Sequence, residues 1–327
     1  MALVARREEF DRLVSEWQGL LPENHLSCVF VHPSWQRIWL EEFGDGREPY
    51  LLSVRDGERL VGLAPLLRDG QRIELIGNYE ICDYMDFIVA PGFEEAFFAS
   101  VLASLLEDEW TELELRGLPA YSPTLKILPE TASALGLKVT TEVEAVCPRV
   151  TLPDTWEEFL ALLGKKDRHE LRRKLRRLNS AGGRVELQLL RSPEEVEAGL
   201  DDFFWMHRDS RQDKAHFMGE KMEAFFRRMA TTLAGEGMVC LCMMEMDGRR
   251  VASVFCFDCG DELSLYNSGY DPDYAHLSVG LLSKALLLGN AIERGKRCFD
   301  FLRGGESYKY DLGGKDLEVY RCLVERG

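Results

Sequence analysis

The chain repeats itself. Residues 56–78 (DGERLVGLAPLLRDGQRIELIGN) and 247–269 (DGRRVASVFCFDCGDELSLYNSG) both open on an Asp-Gly turn, run into an alternating strand, turn at a glycine (Gly70, Gly260) and enter a second strand. The offset is 191 at the first turn (56 to 247) and 190 at the second (70 to 260). A later pair, ELELRG at 112–117 and FDFLRG at 299–304, matches at an offset of 187, and a helical pattern precedes each, over 93–106 and 279–294. The unit is hairpin, strand, helix, strand, used twice. Two copies at this spacing exclude a solenoid, whose repeats are about 20–50 residues long, and predict tandem α/β (α+β) domains.

Residues 118–153 carry Pro119, Pro123, Pro129, Pro148 and Pro153, a density that interrupts regular elements. The expected domains are therefore 1–152 and 153–327, a division that suits 327 residues. The second adds helices: one from Trp156, capped by Asp154 and broken at Gly164, to Gly182-Gly183, then others near 193–211 and 218–234. The strand-like run at 317–324 suits either sheet. No apolar signal region follows Arg6-Arg7, and the longest apolar run, 280–292, is broken by Lys284 and Asn290 and is too short to span a bilayer. Nine cysteines without a framework read as reduced thiols, so a cytoplasmic protein is expected. Cys240-x-Cys242 with Cys256-x-x-Cys259 does not form two zinc knuckles, because the first pair lies on one strand, and no metal site is expected.

With 40 Lys plus Arg against 56 Asp plus Glu, the chain carries −16, which excludes general nucleic-acid coating. Against that background, residues 165–184 hold nine basic residues and two acids. Leu171, Leu175 and Leu178 make one apolar stripe, and Arg168, Arg172 and Arg176 a ridge beside Arg173 and Arg177. Arg172, Arg173 and Arg176 are candidates to steer substrate phosphates, and 165–184 to touch the inner face of an anionic membrane; the alternative is a solvated face, which normally mixes its signs.

His207 and Arg211 are i, i+4, with Lys214 beyond: an imidazole suited to general-base work beside two cations for substrate. After the last repeated strand, Gly304-Gly305 permits close backbone approach, and Arg303, Glu306, Tyr308 and Lys309 follow where ligands meet the carboxyl ends of parallel strands. Ser278 and Gly280 sit at a helix N-terminus, which suits a pyrophosphate. In the first copy, Asp83, Tyr84 and Asp86 are acidic enough to hold an amine or sugar hydroxyls, but its turn at 116–119 lacks the polar groups of 303–309. That copy is read as substrate-shaping.

The segments FFWMHRDSRQDKAHFM, LYNSGYDP, LSVGLL and FDFLRGGESYKY resemble the acyltransferase domain of CelD-like (BioF2-like) proteins, a GNAT-superfamily group related to Fem-type peptidoglycan aminoacyl transferases. Weaker likeness extends through HPSWQRIWLEEFG, CDYMDFIVAPG and KKDRHELRRKLRRL. The resemblance implies two tandem GNAT-like domains, each a mixed sheet flanked by helices. It also implies acyl transfer from acyl-CoA to an amine, either an amino sugar of a polysaccharide precursor or a long-chain amino alcohol. On this reading His207 or Glu306 is the base and Tyr308 protonates the leaving thiolate. Strand N–H groups around Tyr266, Asn267 and Ser268 polarise the carbonyl, while Ser278, Gly280, Arg303 and Lys309 hold the donor. The single glycine in His276–Gly280 departs from the Gly-rich turn of ordinary acetyl-CoA binders. A larger thioester, an aminoacyl-tRNA donor, or a catalytically silent GNAT-like binding module therefore stay open.

Overall fold

The computed structural model describes residues 3–26, 28–210 and 216–326. It divides into two compact units, Met1–Val146 with Leu317–Gly327, and Cys147–Asp316. The expected domain 153–327 is corrected at its end: the terminal strand belongs to the first unit, because it pairs with a strand there along Val319–Glu325 opposite Pro119–Glu112.

In the first unit the order is β1 (Ala5–Glu8), α1 (Phe10–Leu20), α2 (Pro33–Phe43), β2 (Glu48–Asp56), β3 (Arg59–Asp69), β4 (Arg72–Leu75), β5 (Ile88–Val89), α3 (Glu94–Leu106), β6 (Glu112–Pro119), α4 (Thr124–Ala134) and β7 (Lys138–Thr151), closed by β13 (Lys315–Glu325). The strands lie in the order β1-β2-β3-β4-β6-β13-β7, with β5 on β3. Neighbours β4 and β6 are parallel, whereas β1 to β4 pair antiparallel. Eight successive residues of β3, Leu60–Leu67, are buried, as expected of a strand covered on both faces. Gly62 leaves room there for the Phe97 ring of α3. Trp17, Trp35, Trp39, Phe87, Phe97 and Phe98 fill the core, each worth about 1.5–3 kcal/mol of burial or more.

The proline-rich stretch is regular structure, contrary to expectation. Pro119 ends β6, Pro123 caps α4, Pro129 lies inside it, and Pro148 sits within β7. Pro148 lacks an N–H but uses its carbonyl, which accepts from Phe301 N at 2.9 Å.

The second unit takes the end of β7 and continues with α5 (Trp156–Leu162), α6 (Lys165–Ser180), β8 (Val185–Leu190), α7 (Pro193–Ser210), α8 (Glu220–Gly235), β9 (Val239–Met246), β10 (Arg249–Cys259), β11 (Glu262–Tyr270), a 3₁₀ turn (Pro272–Leu277), α9 (Val279–Glu293), β12 (Cys298–Asp300) and α10 (Ser307–Asp311). Its strand order is β7-β12-β11-β10-β9-β8, with β11 and β12 parallel. The cap of α5 is Thr155 rather than Asp154: Thr155 and Glu158 form a capping box. Helix α9 is apolar nearly all round and accordingly buried, with Val279, Leu282, Ala285, Leu288 and Ala291 in one core. Val254 and Cys256 of β10 face that core, while the alternate residues Phe255 and Phe257 meet aromatic rings from α7, α8 and β11. The sheet is thus sandwiched between α9 on one face and α7–α8 on the other. Cys240, Cys242 and Cys256 lie in the α9-side core, and burial pushes the Cys242 and Cys256 thiols well up.

Candidate functional site

In the second unit β11 and β12 pair only over Glu262–Ser264 and Cys298–Asp300, and beyond Ser264 the two parallel strands part. On its other edge β11 carries a bulge. Phe255 of β10 lies opposite Asn267 and Cys256 opposite Leu265, so Tyr266 is the extra residue. The bulge resets the alternation of side chains. Leu263 and Leu265 face the α9 core, but Tyr266 stacks on Phe226 of α8 (centroids 5.5 Å) and the next residue, Asn267, meets α7. Two consecutive polar-tipped residues thereby stand on one face where the strands separate.

His207 of α7 is 1% exposed. Its Nε2 and the Asn267 Oδ1 are 3.0 Å apart, a pairing in which the imidazole donates. Phe203 and Phe217 flank the ring at 5.7 and 6.2 Å. Helix α7 comes this close because residue 269 is glycine: any Cβ there would run into the backbone of Met206 and His207. The structure therefore brings His207, Tyr266 and Asn267 onto one face, whereas Ser268 lies opposite Val254, whose side chain faces the α9 core. Arg211 and Lys214 lie outside the described residues.

The second group forms at the start of α9. Ser278 is left-handed (φ 61°) and its side chain does not cap the helix, so the first turn keeps N–H groups for other acceptors. A Cβ at Gly280 would come within 2.8 Å of the Tyr270 ring, so packing requires this glycine. The buried Lys284 donates to Gly280 O at 2.6 Å and lies 5.0 Å from the centroid of the Tyr308 ring, which also meets Phe301 edge-on.

Lys309 is corrected. Expected to hold a donor, it is 2% exposed and gives its three protons to Leu302 O (2.9 Å), Arg303 O (2.8 Å) and Glu306 (3.0 Å). An ammonium has only three donors, so none remains for a phosphate. It clamps the turn in which Leu302 (φ 54°) and Gly304 (φ 116°) are both left-handed. Glu306 is exposed and ion-paired to it; Arg303 is half-buried on the same turn.

Candidates in the first unit are corrected as well. Tyr84 and Asp86 are each 1% exposed and Asp83 8%, drawn inward with Ile81, Cys82, Met85 and Phe87. Asp86 accepts from His25 Nε2 (2.8 Å), Thr124 Oγ1 (2.6 Å) and Phe87 N (2.8 Å), which saturates much of its carboxylate. His25 and Thr124 had no signal in the sequence, being single residues 99 positions apart (25 to 124) that only the fold unites. Where β4 and β6 part, this unit has a cavity of about 420 Å³ in which Arg47 pairs with Glu74, Arg72 with Glu114, and Arg116 covers the Tyr79 ring.

Arg172, Arg173 and Arg176 lie exposed on α6, with Arg173 paired to Glu170 at 2.7 Å. Among the described residues no cluster of three or more His, Cys, Asp or Glu stands where it could hold a metal ion. No helix among them is long and apolar enough to cross a membrane.

Residues 165–310 match the family model described as an acetyltransferase (GNAT) domain. No curated protein sequence matches the chain. Solved structures share its fold across nearly the whole length. FemX is 11% identical (TM-score 0.68; 97% of this chain, 96% of that one). L-PGS from Bacillus licheniformis is 13% identical (0.58; 96% and 91%). A tandem GNAT protein from the clavulanic acid biosynthesis pathway is 14% identical (0.50; 99% and 99%). At these identities the likeness speaks for the fold alone. Residues 165–310 are thus similar to a GNAT acetyltransferase domain, and the chain as a whole has the fold of a tandem GNAT-like protein.

Proposed function

We propose that the second unit transfers an acyl group from acyl-CoA to an amine. The observation that carries this reading is the parting of β11 from β12 at the Tyr266 bulge, beside an uncapped start of α9. A thioester threaded into that gap would present its carbonyl to β11 N–H groups that β12 does not take up, and its phosphates to the N–H groups of α9. In the reaction the amine nitrogen forms the C–N bond, the tetrahedral intermediate collapses with cleavage of the C–S bond, and the amine proton ends on the leaving thiolate. His207 is assigned as the group that takes the proton, held in one tautomer by Asn267; Glu306, bound up with Lys309, is the weaker candidate. Tyr308 is assigned to protonate the thiolate, its ring lying beside the buried Lys284 ammonium. The acceptor is an amino sugar or a long-chain amino alcohol.

The test is thermal unfolding with CoA, acetyl-CoA and palmitoyl-CoA, followed by thiol release with glucosamine and with sphinganine. Saturation at about 100 times the dissociation constant raises stability by about 2.7 kcal/mol. His207→Ala is expected to lower turnover about a hundredfold or more, the usual minimum for loss of a general base. No shift with any thioester refutes the reading, and product formation that requires charged tRNA replaces the donor.

A further inference from the structure

The outward face of α6 concentrates positive charge on the solvent side of the helix. Lys165, Lys166, Arg172, Arg173, Arg176 and Arg177 are all exposed, while Leu171 and Leu178 bury the opposite side. Among the described residues only Arg173 of these six has an ion-pair partner, Glu170. The acids nearby lie elsewhere: Asp167, Glu170 and Asp311 line a small cavity with Leu281 at the flank of the helix. The patch runs about 18 Å, from residue 165 to 177 at 1.5 Å per residue.

Two further observations say what covers it. The segment 165–184 is +7 in a chain of −16, so the remainder is −23 (−16 minus 7). An anionic surface therefore attracts this face and repels the rest, which orients the protein. Leu162, at the end of α5 and three residues before Lys165, leaves its side chain 64% exposed. An aliphatic chain beside a basic face enters the boundary between headgroups and acyl chains. It gains nothing from a nucleic acid, where stacking aromatics do that work, and α6 contains no aromatic ring besides His169.

We propose that α6, with Leu162 at its head, docks the protein on an anionic lipid bilayer. The contact is peripheral: the apolar stripe of α6 is already buried in the protein, so the helix lies on the headgroups by charge, and Leu162 alone reaches below them.

Sedimentation of the full chain with sucrose-loaded vesicles tests this, comparing phosphatidylcholine alone with vesicles containing about one-third phosphatidylglycerol at about 0.1 M salt. Only the anionic vesicles are expected to carry the protein down. Each basic residue at such a surface is worth about fivefold in partitioning, so Lys165→Glu with Arg177→Glu should weaken it about a hundredfold or more. Leu162→Ser should weaken it several-fold at unchanged salt dependence. These side chains have no partner to lose, so melting temperature and thiol release with soluble substrates should stay as in the wild type. Equal sedimentation with both vesicle types, or binding that survives the double reversal, overturns the proposal. So does displacement from vesicles by tRNA at the same salt, which would assign the face to nucleic acid.

Discussion

Replacing Lys309 by Met separates a clamp from a phosphate ligand. The two side chains are similar in length, but Met offers no donor. Leu302, 2% exposed, would keep a buried carbonyl without a partner, at about 1–3 kcal/mol; Arg303, half-buried, can turn part of its loss over to water. The charge-assisted bond to Glu306 goes too, and with it the restraint on the left-handed Leu302, a conformation that costs about 1–2 kcal/mol in a non-glycine residue. Relief of the buried ammonium offsets some of this, leaving a net loss of about 2–4 kcal/mol. In a unit of about 170 residues (147 to 316), that corresponds to a melting temperature lower by roughly 5–12 °C. The assay is thermal and urea unfolding of the ligand-free protein, with an unchanged m-value expected. A fall of less than about 2 °C together with lost CoA affinity would refute the clamp.

Two further substitutions probe the same unit. Burial raises the Asp258 carboxyl, but bonds from Lys296, Arg294 and Arg191 outweigh it and hold the group below the usual carboxylate range. A carboxyl depressed on folding stabilises above its unfolded pKa of about 3.9 and loses that contribution as pH falls through the folded value. Asp258→Asn should therefore be less stable at neutral pH, and its urea midpoint should fall less than the wild type's between about pH 5 and pH 2; parallel curves would count against the cluster. Gly269→Ala forces α7 off β11 and parts His207 from Asn267, with an expected overpacking cost of about 1–3 kcal/mol and at least tenfold slower thiol release. Gly219→Ala, which meets open space, is the control.

The repeat was readable because turns and alternation are local. Asp56-Gly57 and Asp247-Gly248 mark the hairpin turns, and the helices expected at 93–106 and 279–294 stand at Glu94–Leu106 and Val279–Glu293. The same local logic failed at 118–153. Proline frequency signals a missing N–H, yet Pro148 sits in a strand that needs only its carbonyl, and Pro129 inside a helix otherwise held by buried Leu128 and Ala132.

Site residues divided along similar lines. A helix N-terminus at Ser278 and a glycine turn at 304–305 can be read from residue type. That Lys309 is spent on its own turn cannot, since the neighbouring acceptors Leu302 O and Arg303 O are backbone atoms whose direction depends on left-handed residues. The trio Asp83, Tyr84 and Asp86 read as a place for an amine or sugar hydroxyls because two carboxylates stand close together in the chain. Its position was decided by His25 and Thr124, which pair with Asp86 only after the chain has folded.

By itself the sequence determined two copies of one mixed α/β unit, a basic amphipathic helix and a core with no need of disulfides, all consequences of periodicity and composition over short windows. The tertiary structure alone decided which unit the last strand completes, because β13 could satisfy its hydrogen bonds on any open edge. It also decided that Tyr266 and Asn267 share a face. A single extra residue against β10 shifts the period-two alternation, and a bulge is a property of the pairing of two strands rather than of either one.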